Sequence, residues 1–220
     1  LDSGKGEIVV YNPRMQYQRS IKLKTKEISD MYLDKSKEQF YLVNTASNTI
    51  LVVDTSGKTI QEFGKLRDPL KISMDRFSNI YVTNKIESCI YKFIQREDTY
   101  KYYGKFGTNP FTKITNIAVN KDGSIFLLNE SSSEIIKVNR NGWELVRFGS
   151  KNNLEKPTSI VAGDGGKYIY VLDKSKKEVL QFSNAGEFLK IIVSSKEKRV
   201  AEPIDIDSDK EGNLYVVDAE

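Results

Sequence analysis

The feature that most constrains this chain is a motif that recurs along it. Four segments line up: LKISMDRFSNIYVTN (70–84), NIAVNKDGSIFLLNE (116–130), SIVAGDGGKYIYVLD (159–173) and DIDSDKEGNLYVVD (205–218). A fifth, DMYLDKSKEQFYLVN (30–44), is a looser copy. Each has an apolar alternating stretch, a turn rich in Asp, Asn, Gly or Ser, and a second apolar stretch, which reads as a β-hairpin. A chain built this way must bury its hydrophobic faces by stacking one unit on the next.

A second hairpin follows the first, as in NTILVVDTSGKTIQEFG (48–64), EIIKVNRNGWELVRFG (134–149) and EVLQFSNAGEFLKII (178–192). Gly57, Gly142 and Gly186 share one place in it, where a tight turn needs a residue tolerant of positive φ. Pro69, Pro157 and Pro203 open units, with Ile114 in the equivalent place. The period is roughly 41 to 46 residues, that of four-stranded propeller blades. No helical periodicity of useful length interrupts it. The expected fold is all-β: a β-propeller of four-stranded antiparallel blades in one domain. Its expected divisions are a half blade at 1–24, blades at 25–65, 66–112, 113–155 and 156–200, and a half blade at 201–220.

The ends share a phase. Residues 1–10 match 172–182, so the chain enters after a blade's first hairpin, and it stops at the end of a first hairpin. One reading closes the two halves into a composite blade, five in all, with Glu7–Tyr11 pairing Asn213–Val217. The other treats the chain as a segment of a longer six-bladed protein. Closure is favoured, because open half-blades expose sheet edges.

Composition narrows function. There is no histidine among the 220 residues, so the commonest general base and metal ligand is missing. Cys89 is the only cysteine, which excludes an internal disulfide and a cysteine zinc site. No apolar run approaches the ~20 residues of a membrane span. The net charge of +4 permits an acidic partner without requiring one.

Pro69-x-x-Ile72-x-Met74-Asp75, Asn79-Ile80-Tyr81-Val82, Ile90-x-x-Phe93 and Phe106-Gly107 together resemble the NHL repeat. Pro203-x-x-Ile206, Asp209, Gly212 and Asn213-Leu214-Tyr215-Val216-x-Asp218 resemble it too, so the likeness covers essentially the whole chain. It implies a propeller, usually six-bladed, and leans toward an extracytoplasmic setting. It leaves function open, since such propellers serve as protein-binding, RNA-binding, sensor and enzyme scaffolds.

Loops should carry the site, while blades hold the shape. The loops between blades and those between second and third strands share one face, which gathers many lysines with acidic residues interspersed. At its centre stand Arg67, Lys85, Lys113, Lys156 and Lys174, the expected binding residues for a protein or other acidic macromolecule. The competing reading is a lysine-rich solvated surface. Single-stranded RNA is a further alternative, disfavoured because only Phe111 offers a stacking platform there. An enzyme resembling propeller lactonases or lyases is the other alternative. It is disfavoured because the channel strands read as Ile72, Met74, Ile117, Val119, Ile160 and Ala162, mostly apolar or small. No catalytic residue, metal or cofactor is expected, and a monomer is. Recurrent Asp75, Asp164 and Asp209, with Asp34 and Asn120, read as turn caps before calcium ligands. Trp143 reads as outer-strand packing before partner anchor.

Overall fold

The computed structural model describes residues 1–86, 89–106, 113–149, 154–194, 196, 200–209 and 211–219. Four complete blades run in chain order, each a four-stranded antiparallel meander. The first holds β3 (Ile28–Asp34), β4 (Gln39–Asn44), β5 (Thr49–Asp54) and β6 (Thr59–Phe63). The second holds β7 (Pro69–Met74), β8 (Ile80–Asn84), β9 (Ile90–Arg96) and β10 (Thr99–Phe106). The third holds β11 (Ile114–Val119), β12 (Ile125–Asn129), β13 (Glu134–Val138) and β14 (Glu144–Phe148). The fourth holds β15 (Pro157–Gly163), β16 (Tyr168–Asp173), β17 (Glu178–Ser183) and β18 (Phe188–Val193). Two-stranded sheets flank them: β1 (Glu7–Tyr11) with β2 (Tyr17–Lys22), and β19 (Pro203–Ser208) with β20 (Leu214–Asp218).

The middle strands are continuous runs of β-branched, Leu and aromatic residues because both their faces are covered. Every residue of β8 and β12 is buried. The core is accordingly a series of layers between neighbouring sheets. Tyr41, Val43, Ile50 and Val52 of the first blade pack on Ile72, Ile80, Val82 and Phe93 of the second. Ile114, Ile117, Leu127 and Ile136 of the third meet Tyr81, Ile90 and Phe106. Ile72, Ile117, Ile160 and Ile206 are equivalent and buried to 4–5 % exposure, as the repeat alignment requires. Outer strands β6 and β14 alternate exposed and half-buried residues, as a wetted edge should.

The tight turns follow their chemistry. Gly57, Gly142 and Gly186 have φ of 88°, 84° and 93°. Asp54 Oδ1 accepts from the Ser56 and Lys58 amides, and Asn139 Oδ1 does the same for Asn141 and Trp143.

The expected pairing of Glu7–Tyr11 with Asn213–Val217 is not made. β1 is bonded to β2 and β20 to β19, in separate sheets. The reason lies in the first turn. Asp2 Oδ1 accepts from the Lys5 amide, as Asp173 Oδ1 accepts from that of Lys176. Gly6 has the positive φ that Lys177 has. Leu1-Asp2 therefore fills the strand-end place beside β1 that Val217-Asp218 would need. The two sheets are still the inner and outer halves a composite blade requires: β19–β20 packs on the fourth blade and β1–β2 on the first.

Candidate functional site

The first strand of each unit carries a register shift near its start, at Ile28/Asp30, Pro69/Ile72, Ile114/Asn116, Pro157/Ser159 and Pro203/Asp205. Such a bulge leaves a backbone amide out of the ladder and re-aims the next side chain. The residues at that point, Asp30, Lys71, Asn116, Ser159 and Asp205, form a polar belt inside the ring. Asn116 Nδ2 donates to the Thr158 carbonyl at 3.3 Å, and Ser159 Oγ donates to Asp205 Oδ1 at 2.5 Å. Lys71 Nζ reaches Asp205 Oδ2 at 2.9 Å and Asp30 Oδ1 at 3.4 Å. Backbone donors are served as well: Ile72 N by Asp30 at 2.9 Å, Ile117 N by Asn116 at 2.8 Å and Ile206 N by Asp205 at 3.0 Å.

Burial pushes the Asp30 carboxyl up to about 6, against the pull of Lys71 and the Ile72 amide. Burial also works against the Lys71 ammonium, but Asp30 and Asp205 outweigh it and hold its pKa above the ordinary value. The inner strands are thus less apolar than the sequence reading expected. That reading took the channel positions as Ile72, Met74, Ile117, Val119, Ile160 and Ala162, and so passed over the residue before each isoleucine. The available signal was the polar residue directly before each of these isoleucines.

One step nearer the loops the chain opens a cleft of about 510 Å³. Lys85, Lys113 and Lys156, from three successive blades, line it together with Leu70 and Ile114. Asn84, Thr115, Glu130 and Ser131 complete the lining. A repeated backbone bond joins the two loops of one blade at this face. Lys85 N donates to Asp68 O and Lys174 N to Lys156 O, both at 2.9 Å, matching Thr45 N to Glu27 O and Ala219 N to Glu202 O. In these four units the residue after the second strand is so tied to the residue before the first. Among the described residues none of the three lysine ammoniums makes an ion pair. Arg67 and Lys174 are exposed but do not line the cleft. Phe111, Lys151, Glu87, Glu197, Lys198, Arg199 and Gly107 lie outside the described residues, as does the side chain of Asp164.

Two polar atoms of lining residues are buried without a hydrogen-bond partner among the described residues, Asn84 Oδ1 and Thr115 Oγ1. Asn84 itself is 3 % exposed, and its amide nitrogen donates to the Cys89 carbonyl at 2.7 Å. Equivalent strand-end residues all use the corresponding oxygen. Asn44 accepts from Ala46 N, Asn129 from Ser132 N, Asp173 from Lys156 N and Asp218 from Glu202 N.

A smaller cavity of about 290 Å³ lies at the opposite mouth, among Met74, Val119, Gly163 and Ser208. Its carboxylates are occupied by turns: Asp75 Oδ1 accepts from Phe77 N and Asn79 N, and Asp209 Oδ1 from Asn213 N. Asp34 and Asn120 cap their turns likewise. Trp143 is 58 % exposed, so the expectation that it packs on an outer strand is corrected: it projects one residue past the turn glycine, beyond the sheet's cover.

No protein-family model matches the chain, and no curated protein matches it. Solved structures do. A streptogramin B lyase structure is 16 % identical with a TM-score of 0.69, over 87 % of this chain and 62 % of its own. This chain therefore spans less than two thirds of that protein. The virginiamycin B lyase of Staphylococcus aureus is 15 % identical with a TM-score of 0.69, over 97 % of this chain and 71 % of its own. A protein of unknown function from Desulfotomaculum acetoxidans is 11 % identical with a TM-score of 0.72, over 99 % and 71 %. At such identities the likeness establishes the propeller fold and nothing finer.

Proposed function

We propose that this chain is a non-catalytic recognition propeller of the NHL kind, whose loop face takes an acidic protein or similar macromolecule. The carrying observation is the cleft where Lys85, Lys113 and Lys156 converge from three blades without ion-pair partners among the described residues. Arg67 and Lys174, exposed on neighbouring loops, extend the positive field. The enzyme reading has less behind it. One of the similar structures is a virginiamycin B lyase made catalytically inactive by replacing a histidine with alanine, and this chain has no histidine. The belt's carboxylates and lysine are meanwhile engaged with each other and with backbone amides. RNA binding lacks support because no aromatic side chain lines the cleft among the described residues.

The test is association with immobilised poly-L-glutamate at several salt concentrations. Charge gathered on one face speeds encounter, and its effect fades once screening shortens below the ~8 Å of physiological ionic strength. Lys113→Glu with Lys156→Glu should slow association about tenfold or more and leave thermal stability nearly unchanged, since exposed charges contribute little to folding. Equal association rates for variant and wild type would remove the basis for this reading.

A further inference from the structure

In each complete blade the pairing of third and fourth strands slips by one residue, and the residue left over on the outer strand is Ile60, Tyr103, Leu145 or Leu189. All four are large and apolar, and they are 43–68 % exposed. A bulge needs an extra residue but not an apolar one. The half blade β1–β2 slips at the same place and has Gln18 there. Tyr102, Trp143 and Phe188 are further exposed side chains of the same hairpins. Equivalent positions are related by the rotation that relates the blades, so the four lie on one ring. Ile60, Leu145 and Leu189 are each the second residue of their strand, next to the turn from the third, and Tyr103 matches them in register. In an antiparallel meander that turn lies at the same end as the turn between first and second strands. The ring therefore belongs to the hairpin face, opposite the lysine cleft.

Spacing limits what such a ring can meet. The apolar side chains come singly or in pairs, one set per blade, with polar turns between them, so they make no continuous groove for a folded partner. The bulges also turn the outer edges away from strand addition, so contact runs through side chains. Lys58, Lys101, Arg140 and Lys190 are exposed at the same hairpins, and among the described residues none makes an ion pair. Glu97, Asp98 and Glu187 temper this charge without removing it. Separate apolar side chains, Trp and Tyr among them, with cations between, suit the headgroup boundary of a bilayer. We propose that the hairpin face docks this protein on an anionic lipid surface. Ile60, Tyr103, Leu145 and Leu189 enter the boundary between headgroups and acyl chains beside Trp143, and the cations meet lipid phosphates. The docked chain holds its loop-face cleft toward solvent.

The probes are vesicles of phosphatidylcholine with a minor share of phosphatidylserine, and vesicles of phosphatidylcholine alone. Binding is read by co-sedimentation and by Trp143, the chain's only tryptophan. Wild type should sediment with the mixed vesicles and several-fold less with phosphatidylcholine alone. Its Trp143 emission should shift to the blue and be quenched by lipids brominated on the acyl chain. Leu145→Ser with Leu189→Ser should weaken binding about tenfold or more, as withdrawing large apolar side chains from an apolar phase requires. The melting temperature should hold, since both residues are exposed. If that variant does not fold, quenching of wild type decides alone. Lys113→Glu with Lys156→Glu should bind vesicles as wild type does. No sedimentation, equal binding to both lipids, an unquenched Trp143, or full binding by the folded serine variant each overturns the proposal and leaves the loop-face reading standing. Loss of vesicle binding in the Lys113 and Lys156 variant alone assigns the lipid to the loop face and overturns it too. A dimer in analytical ultracentrifugation that the serine changes dissolve gives the ring to a second copy, with the same result.

Discussion

Replacing Ile117 by alanine tests the packing on which the whole architecture depends. Ile117 is 5 % exposed in a layer with Tyr81, Ile90, Phe106, Ile125, Leu127, Ile136 and Val138. The change removes three carbons, worth about 2.4 kcal/mol at ~0.8 kcal/mol each. The layer cannot easily collapse into the void, since Leu127 and Val138 are fully buried on strands fixed by ladders on both sides. The residual cavity should bring the loss to about 3–5 kcal/mol. Ile204→Ala is the matched control: it also lies on a first strand but is 47 % exposed, and should cost under about 1 kcal/mol. Urea unfolding followed by circular dichroism and by the fluorescence of Trp143, the chain's only tryptophan, reads both. Two probes are needed because stacked repeats can unfold in stages. A loss below about 1 kcal/mol for Ile117→Ala, or equal losses for both, would mean the strand faces are assigned the wrong way round.

Two further outcomes are expected. The Asp30 carboxyl, near 6 when folded and about 3.9 when unfolded, binds its proton more tightly in the folded chain, so its contribution is full below about pH 4 and is lost as pH rises through about 6. The change amounts to about 3 kcal/mol, and the difference in urea midpoint between wild type and Asp30→Asn across about pH 4.5–7.5 should show it; a constant difference would refute it. Asp75→Ala should cost about 1–3 kcal/mol by thermal melting, because it strips partners from the Phe77 and Asn79 amides and from the buried Tyr81 hydroxyl at 3.1 Å. An unchanged melting temperature would show that the turn holds without its cap.

The blades were legible because each depends on local signals that repeat. Alternating strands, Asx turns and glycines at positive φ need no knowledge of distant contacts, and the isoleucine layer follows once the repeats are aligned. The polar belt was not legible in the same way. Lys71 and Asp205 come from different blades, and nothing in either repeat alone indicates that they meet. The open ends escaped for a similar reason. Phase matching shows that two halves are complementary, while the turn at Asp2–Gly6 shows that one half already has its strand end in place. The loop lysines were identifiable as surface charge. Their convergence on one cleft depends on how neighbouring blades pack, which no single repeat encodes.

Belt and cleft occupy adjacent positions of the same strands, and this separates structural charge from available charge. The bulge sends the third residue of each first strand (Asp30, Lys71, Asn116, Ser159, Asp205) into bonds that link blades to one another and serve stranded amides. Those groups have duties already, so a buried lysine between two carboxylates is here poor evidence of catalysis, despite the raised pKa of Asp30. The residue before the belt position is freer in the second and third blades, whereas Ser29 in the first donates to the Leu70 carbonyl. Leu70 and Thr115 stand there and line the cleft, and among the described residues the buried Thr115 hydroxyl has no hydrogen-bond partner. The loop residues on either side, Lys85, Lys113 and Lys156, are tied by their backbones alone or not at all, which leaves their side chains free. Variation at these positions can alter what is recognised without disturbing the ring. Variation at the belt cannot, since a change at Asp30, Asn116, Ser159 or Asp205 takes a partner from a backbone amide, and a change at Lys71 leaves two carboxylates unpaired.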